Sequence, residues 1–258
     1  MILRGNFLSE VLHMSTNIQI LIPDQSNPPF RVVYLLHGLH GDQGTWLDNT
    51  QLPVYAKKHN VIFVMPEASR SFYVNLKYGR NYYDYISDEL PSKIRKIFNI
   101  SANRENTAVM GCSMGGFGAL RMALTKPDLY GFCGAISPAC LYFKHVLESL
   151  QKDPQNFLET VSEADEILTD LYMIYGEELE YHKDYDVVEL VKNFPAAAPK
   201  PRIFTACGTE DSLRDDNLKF KTEMESTGFD FSYEEWTGGH DWYFFNEALK
   251  KILAFWFA

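Results

Sequence analysis

The residues Gly111-Cys112-Ser113-Met114-Gly115 form a G-x-S-x-G arrangement. A serine held at a sharp strand-to-helix turn presents its hydroxyl for attack on a carbonyl carbon. Side chains beside it would clash in so tight a turn, which accounts for the flanking glycines. A serine hydroxyl needs a base to take its proton and an acid to orient that base. When such a serine sits at the top of a sheet, acid and then histidine follow it in the chain. Seven histidines compete for the second role. His240 lies in Thr237-Gly238-Gly239-His240-Asp241-Trp242, a glycine-rich loop after an expected strand ending at Trp236, and is the expected base. His13 falls on an expected N-terminal strand, while His59, His145 and His182 fall in charged, surface-like segments. Asp211, in Gly208-Thr209-Glu210-Asp211-Ser212 after another expected strand, is the expected acid. Glu210, Asp215 and Asp216 are its neighbouring alternatives, although Asp215 better suits a helix start.

Acyl transfer also puts negative charge on the former carbonyl oxygen, so backbone N–H donors must face it. Met114, directly after the serine, is one expected donor. Leu39 is the other, in Leu35-Leu36-His37-Gly38-Leu39-His40-Gly41, a loop that ends an early strand. His37 is expected to hold this loop by hydrogen bonds rather than to act as a base. Trp46 either walls the substrate pocket or belongs to the core.

The elements that must position these groups alternate. Residues 5–22 read as two strands, with Ile18, Ile20 and Ile22 alternating against polar neighbours. Asp24–Pro29 reads as a turn. Val32–Leu36 and Val61–Met65 are continuous apolar runs, suited to strands covered on both faces. Tyr82–Phe98 has helical period, with Tyr82, Ile86, Leu90, Ile94 and Ile97 on one stripe and a kink or break expected at Pro91. A strand at Thr107–Cys112 and a helix at Met114–Leu124 flank the serine. Further strands are expected at Phe132–Ile136, Arg202–Cys207 and Asp230–Trp236, with helices at Asp215–Thr227 and Tyr243–Phe257. The alternation predicts an α/β fold with a mostly parallel sheet flanked by helices.

One segment departs from the rhythm. Residues 138–200 hold 13 acidic and 5 basic side chains, a balance of −8, against −2 for the rest of the chain. It reads as a helical insertion whose charges face solvent. Its aromatic residues (Tyr142, Phe143, Phe157, Tyr172, Tyr175) would also suit a cap that shapes a ligand pocket.

Composition narrows the partners. The chain has 258 residues and a net charge of −10, which disfavours phosphate backbones and anionic lipid surfaces. The longest apolar run, Ile252–Ala258, is far short of the ~20 residues that span a bilayer. No basic region followed by an apolar stretch opens the chain, so a cytoplasmic location is expected. The four cysteines lack CxxC spacing and read as reduced.

The motifs YLLHGLHGDQGTW, VIFVMPEAS, YYDYISDELP, GCSMGGFGAL, CGTEDSL and GGHDWYFF, in that order, resemble the esterase D branch of the α/β-hydrolase superfamily, most closely its tributyrin esterase-like and feruloyl esterase-like members. The resemblance implies one α/β-hydrolase domain over residues 1–258, carrying a cap-like insertion at about 138–200. It implies a serine carboxylesterase with Ser113, Asp211 and His240 as triad and Leu39 and Met114 as oxyanion donors. The expected substrates are small soluble esters bearing short acyl, acetyl or hydroxycinnamoyl groups. A thioesterase of the S-formylglutathione hydrolase type is the alternative, because triad chemistry does not distinguish oxygen from sulfur leaving groups. A non-catalytic hydrolase scaffold used for binding is the alternative of another class. No metal or organic cofactor is expected, and no partner beyond the substrate and further copies of the chain.

Overall fold

The computed structural model describes residues 1–24, 27–57, 59–161 and 163–258. Residues 25 and 26 of the expected Asp24–Pro29 turn lie outside the described residues. Eight strands form one sheet in the order β1-β2-β4-β3-β5-β6-β7-β8. They are β1 (Ile2–Ser9), β2 (Met14–Leu21), β3 (Arg31–Leu36), β4 (Val61–Pro66), β5 (Thr107–Cys112), β6 (Phe132–Ile136), β7 (Arg202–Gly208) and β8 (Phe231–Trp236). From β4 to β8 all pairings are parallel, whereas the β1–β2 hairpin is added antiparallel at one edge. The hairpin starts earlier than residue 5. His13, expected on a strand, lies instead in the connecting turn with φ 53°.

The helices in chain order are α1 (Thr45–Asn49), α2 (Leu52–Ala56), α3 (Tyr82–Asp84), α4 (Leu90–Ile97), α5 (Met114–Thr125), α6 (Phe143–Lys152), α7 (Pro154–Thr160), α8 (Ala164–Tyr175), α9 (Val187–Lys192), α10 (Arg214–Glu225) and α11 (Trp242–Phe257). Alternate residues of each central strand feed two cores, one on each face of the sheet. Val32, Tyr34 and Leu36 join the core under α3–α10, while Val33 and Leu35 join the core under α1, α2 and α11. That two-sided burial is why these strands read as unbroken apolar runs.

The expected break near Pro91 falls one turn earlier, as a π-helical turn at Tyr85–Glu89 between α3 and α4. Pro91 follows it inside one unbroken helical run from Tyr82 to Ile97, where a proline has no N–H to give the preceding turn. The apolar stripe runs through the π turn, with Ile86 buried in it and Leu90, Pro91 and Ile94 buried in α4. Ile97, expected on the stripe, is 71% exposed.

Helices α6–α9 fill the segment between β6 and β7. Four of its five named aromatics hold it down. Tyr142, Phe143, Phe157 and Tyr175 are buried in the same core as α5, and only Tyr172 is exposed. Phe143 packs edge-on against Phe117 of α5, with ring centroids 5.1 Å apart.

Candidate active site

In a sheet whose strand order reverses, ligands bind at the carboxyl ends of the strands, beside the point of reversal. Here the chain turns back between β3 and β5, which are hydrogen-bonded neighbours. The loops after β3, β5, β7 and β8 carry the expected triad and oxyanion-hole residues.

Ser113 occupies the single position between β5 and α5, with φ 54° and ψ −121°. Such backbone costs about 1–3 kcal/mol in a non-glycine residue and must be held by its surroundings. Three bonds hold it: Ser113 N–H donates to Ile136 O at 2.9 Å, and Phe117 N–H and Ala139 N–H donate to Ser113 O at 3.1 and 3.2 Å. The flanking glycines answer a different need, close approach. A Cβ on Gly111 would collide with the Gly115 carbonyl, and one on Gly115 with the carbonyls of Leu36 and His37. Met114 opens α5, and the first N–H groups of a helix have no intrahelical partner.

The loops after β7 and β8 are laced together. Thr209 N–H donates to Trp236 O and Glu210 N–H to Gly238 O, both at 3.0 Å. Any side chain at Gly208 would strike the Gly238 carbonyl. This lacing delivers Asp211 to His240, with Oδ2 2.9 Å from Nδ1. The Asp211 side chain is fully buried, while that of His240 is one-third exposed. Leu213 N–H donates to Asp211 Oδ1 at 2.9 Å. Burial alone would push the Asp211 carboxyl up, but the bonds from His240 and Leu213 hold it below the ordinary carboxylate range. Of the alternative acids, Glu210 is exposed, and Asp215 and Asp216 are exposed in the first turn of α10. Asp241 caps α11 by accepting from Phe244 N–H at 3.0 Å, so the helix anchors the His240 loop.

The loop after β3 lies against the serine. A Cβ on Gly38 would stand 3.5 Å from Ser113 Cβ. Gly41 N–H donates to Gly38 O at 3.0 Å, closing a turn with Leu39 at its second position. His37 is buried and locks this loop. Ala68 N–H donates to Nε2 at 3.0 Å, so Nε2 carries no proton and Nδ1–H donates to Gly38 O at 2.8 Å. Tyr73 O–H donates to the His37 carbonyl at 2.9 Å. Burial holds the imidazole below its ordinary range, keeping it neutral. His40 faces outward instead, its Nε2 2.7 Å from Glu163 Oε2 at the head of α8. Trp46 is wholly buried, donates from Nε1 to Leu36 O at 3.0 Å and packs edge-on against Trp242. It supports the loop from the core and offers no surface to a substrate.

Ala68 and Tyr73 were not among the expected residues. Both lie in the irregular stretch between β4 and α3, where no periodicity marks a role. Burial pushes the Cys112 thiol well up, so the cysteine beside Ser113 has little thiolate character. The four cysteines are free, and among the described residues no group of three or more His, Cys, Asp or Glu side chains could hold a metal ion.

A family model named Esterase, with the description "Putative esterase", matches residues 9–256. The chain is 29% identical over 264 residues to an acetyl esterase of Caldicellulosiruptor saccharolyticus, covering 98% of this chain and 96% of that one. It resembles the structure of FphF, a fluorophosphonate-binding serine hydrolase of Staphylococcus aureus, with a TM-score of 0.83 at 25% identity, over 100% and 98% of the two chains. It resembles the S-formylglutathione hydrolase FrmB of Staphylococcus aureus with a TM-score of 0.82 at 27% identity, over 100% and 99%.

Proposed function

The chain belongs to the Esterase family and is a serine carboxylic ester hydrolase, and on that premise we propose that Ser113, His240 and Asp211 are its nucleophile, base and acid. The observation that carries the assignment is the Asp211–His240 bond, delivered by laced loops to the sheet edge that bears the strained Ser113. Ser113 Oγ attacks the ester carbonyl while His240 Nε2 takes its proton. The oxyanion faces the N–H groups of Leu39 and Met114, donors of a kind worth about 10²–10³-fold in rate each. His240 then protonates the departing alcohol, and a water activated by the same imidazole releases the acid from Ser113.

Small soluble esters are the proposed substrates, with acetyl or other short acyl groups first and hydroxycinnamoyl groups next. The acetyl esterase relative supports the first choice. A second reading, thioester hydrolysis, is supported by the likeness to the S-formylglutathione hydrolase. Helices α6–α9 are the proposed cap that selects among substrates. A reducing, cytoplasmic location is the one that four unpaired thiols support. No helix of the described residues is long and apolar enough to cross a membrane.

The test is kcat/KM across p-nitrophenyl esters of rising acyl length, methyl ferulate, acetylated xylan oligomers and S-formylglutathione. A maximum at acetate supports the proposal. A maximum at S-formylglutathione moves the assignment to the thioesterase. No turnover of any of them would favour a binding scaffold.

A further inference from the structure

Ser137 directly follows β6, beside the carboxyl end of β7, the strand that leads to Asp211. It is wholly buried, with a left-handed backbone (φ 42°), and its N–H donates to Ala206 O at 2.7 Å. Its hydroxyl completes no hydrogen bond in this structure. A buried hydroxyl without a partner forfeits its hydration, so the groups beside it decide what it does. Those groups are the Asp211 carboxylate and the Cys207 thiol.

We propose that Ser137 is a positioning residue for the acid, its hydroxyl donating to the Asp211 carboxylate and so setting how that carboxylate holds His240. The inference rests on the assignment of Asp211 and His240 as acid and base. Three observations support it. Asp211 accepts from His240 on Oδ2 and from Leu213 on Oδ1, and a carboxylate can accept about four bonds, so capacity remains. Burial pushes the Cys207 thiol up to about 12, so Cys207 stays protonated at neutral pH. A protonated thiol is a donor, which leaves the Ser137 proton free for the Asp211 carboxylate. Finally, the left-handed backbone is one a serine adopts only when its surroundings impose it.

The consequence is electrostatic as well as geometric. A hydroxyl dipole aimed at Asp211 offsets part of the negative charge that the imidazole feels. Without it, more of that charge faces His240 and favours the imidazolium, so the acid limb of activity moves to higher pH. The carboxylate also gains freedom to turn away from Nδ1.

The test compares Ser137→Ala, which removes the hydroxyl and keeps the Cβ, with Ser137→Gly, which also relieves the backbone. Each is assayed with p-nitrophenyl acetate across pH, with Asp211→Asn in parallel. The expected result is folded protein in both cases and a loss on the order of tenfold in kcat. The acid limb of kcat/KM should rise by a few tenths of a pH unit in both. Wild-type rates and profile in either variant would overturn the proposal. A deficit confined to Ser137→Ala would mark the backbone as the cause and overturn it too. A rate loss without the profile shift would do the same, as would two variants that fail to fold. A silent Asp211→Asn would instead refute the acid assignment itself. A crippled Asp211→Asn beside wild-type-like Ser137 variants would refute only the inference.

Discussion

Arg70, on the loop after β4, grips Asp170 of α8 across a hundred residues of chain, with Nη2 and Nε 2.7 and 3.0 Å from Oδ2. Asp170 is nearly buried, and burial pushes its carboxyl up despite the guanidinium beside it. Removing one partner would strand the other charge away from water. Arg70→Ala is therefore expected to cost about 1–3 kcal/mol, below the range for fully buried pairs because the Arg70 side chain is 32% exposed. Arg70→Ala/Asp170→Ala should cost less than Arg70→Ala alone. Denaturation midpoints with unchanged slopes would measure both, and equal losses would show that the stranded charge is not the cause.

The His37 lock has a pH signature. In the unfolded chain this imidazole titrates near ~6.5, whereas in the fold burial lowers its value, against the opposing pull of Glu67 and Asp42. The unfolded state thus binds the extra proton first. The lock contributes its full stability above about pH 6.5, and that contribution is lost as pH falls below it. A proton on Nε2 would also confront the Ala68 N–H donor. Wild-type protein should lose more stability between pH 7 and pH 5 than His37→Gln, measured by urea denaturation. Parallel pH dependences would sink this account.

The motif-bearing loops were legible in the sequence because their chemistry is local. A glycine–serine–glycine turn, a glycine-flanked histidine and an aspartate after a strand each declare themselves within a few residues. The two-sided burial of β3 and β4 was legible for a similar reason, since it leaves unbroken apolar runs. What escaped depends on pairs far apart in the chain. Arg70–Asp170 and His40–Glu163 join loops to the insertion across 100 and 123 positions. Trp46 could not be assigned to core or pocket until Trp242 was seen against it. Ile97 ends the expected stripe uncovered, because helical period shows which face is apolar but not where the cover over it stops. The insertion aromatics suit a pocket by type, and only the fold shows four of the five named packed into the core beneath the helices that carry them.

The insertion is expected to select substrates without supplying chemistry. Its ties to the body, among them Arg70–Asp170 and the Tyr185 O–H bond to Asn75 O at 3.0 Å, keep α6–α9 in place near the loops after β3 and β4. Replacing residues 138–200 by the corresponding segment of a relative should change the ranking of kcat/KM among bulky esters. Hydrolysis of p-nitrophenyl acetate should survive in a chimera with a cooperative unfolding transition. Equal loss on every ester in such a chimera would assign the insertion a part in the chemistry.

The central claim is that acyl transfer passes through Ser113. Removing a triad serine typically costs on the order of 10⁶-fold in kcat, the residual rate coming from the oxyanion donors and binding. The direct measurement is rapid quench of the enzyme with p-nitrophenyl acetate, followed by peptide mass spectrometry to find the acetylated residue. The account expects acetyl on Ser113, near-normal turnover in Cys112→Ala, and neither label nor turnover in Ser113→Ala. Acetyl on Cys112 or elsewhere, or a Ser113→Ala enzyme keeping a tenth of wild-type activity, would contradict it.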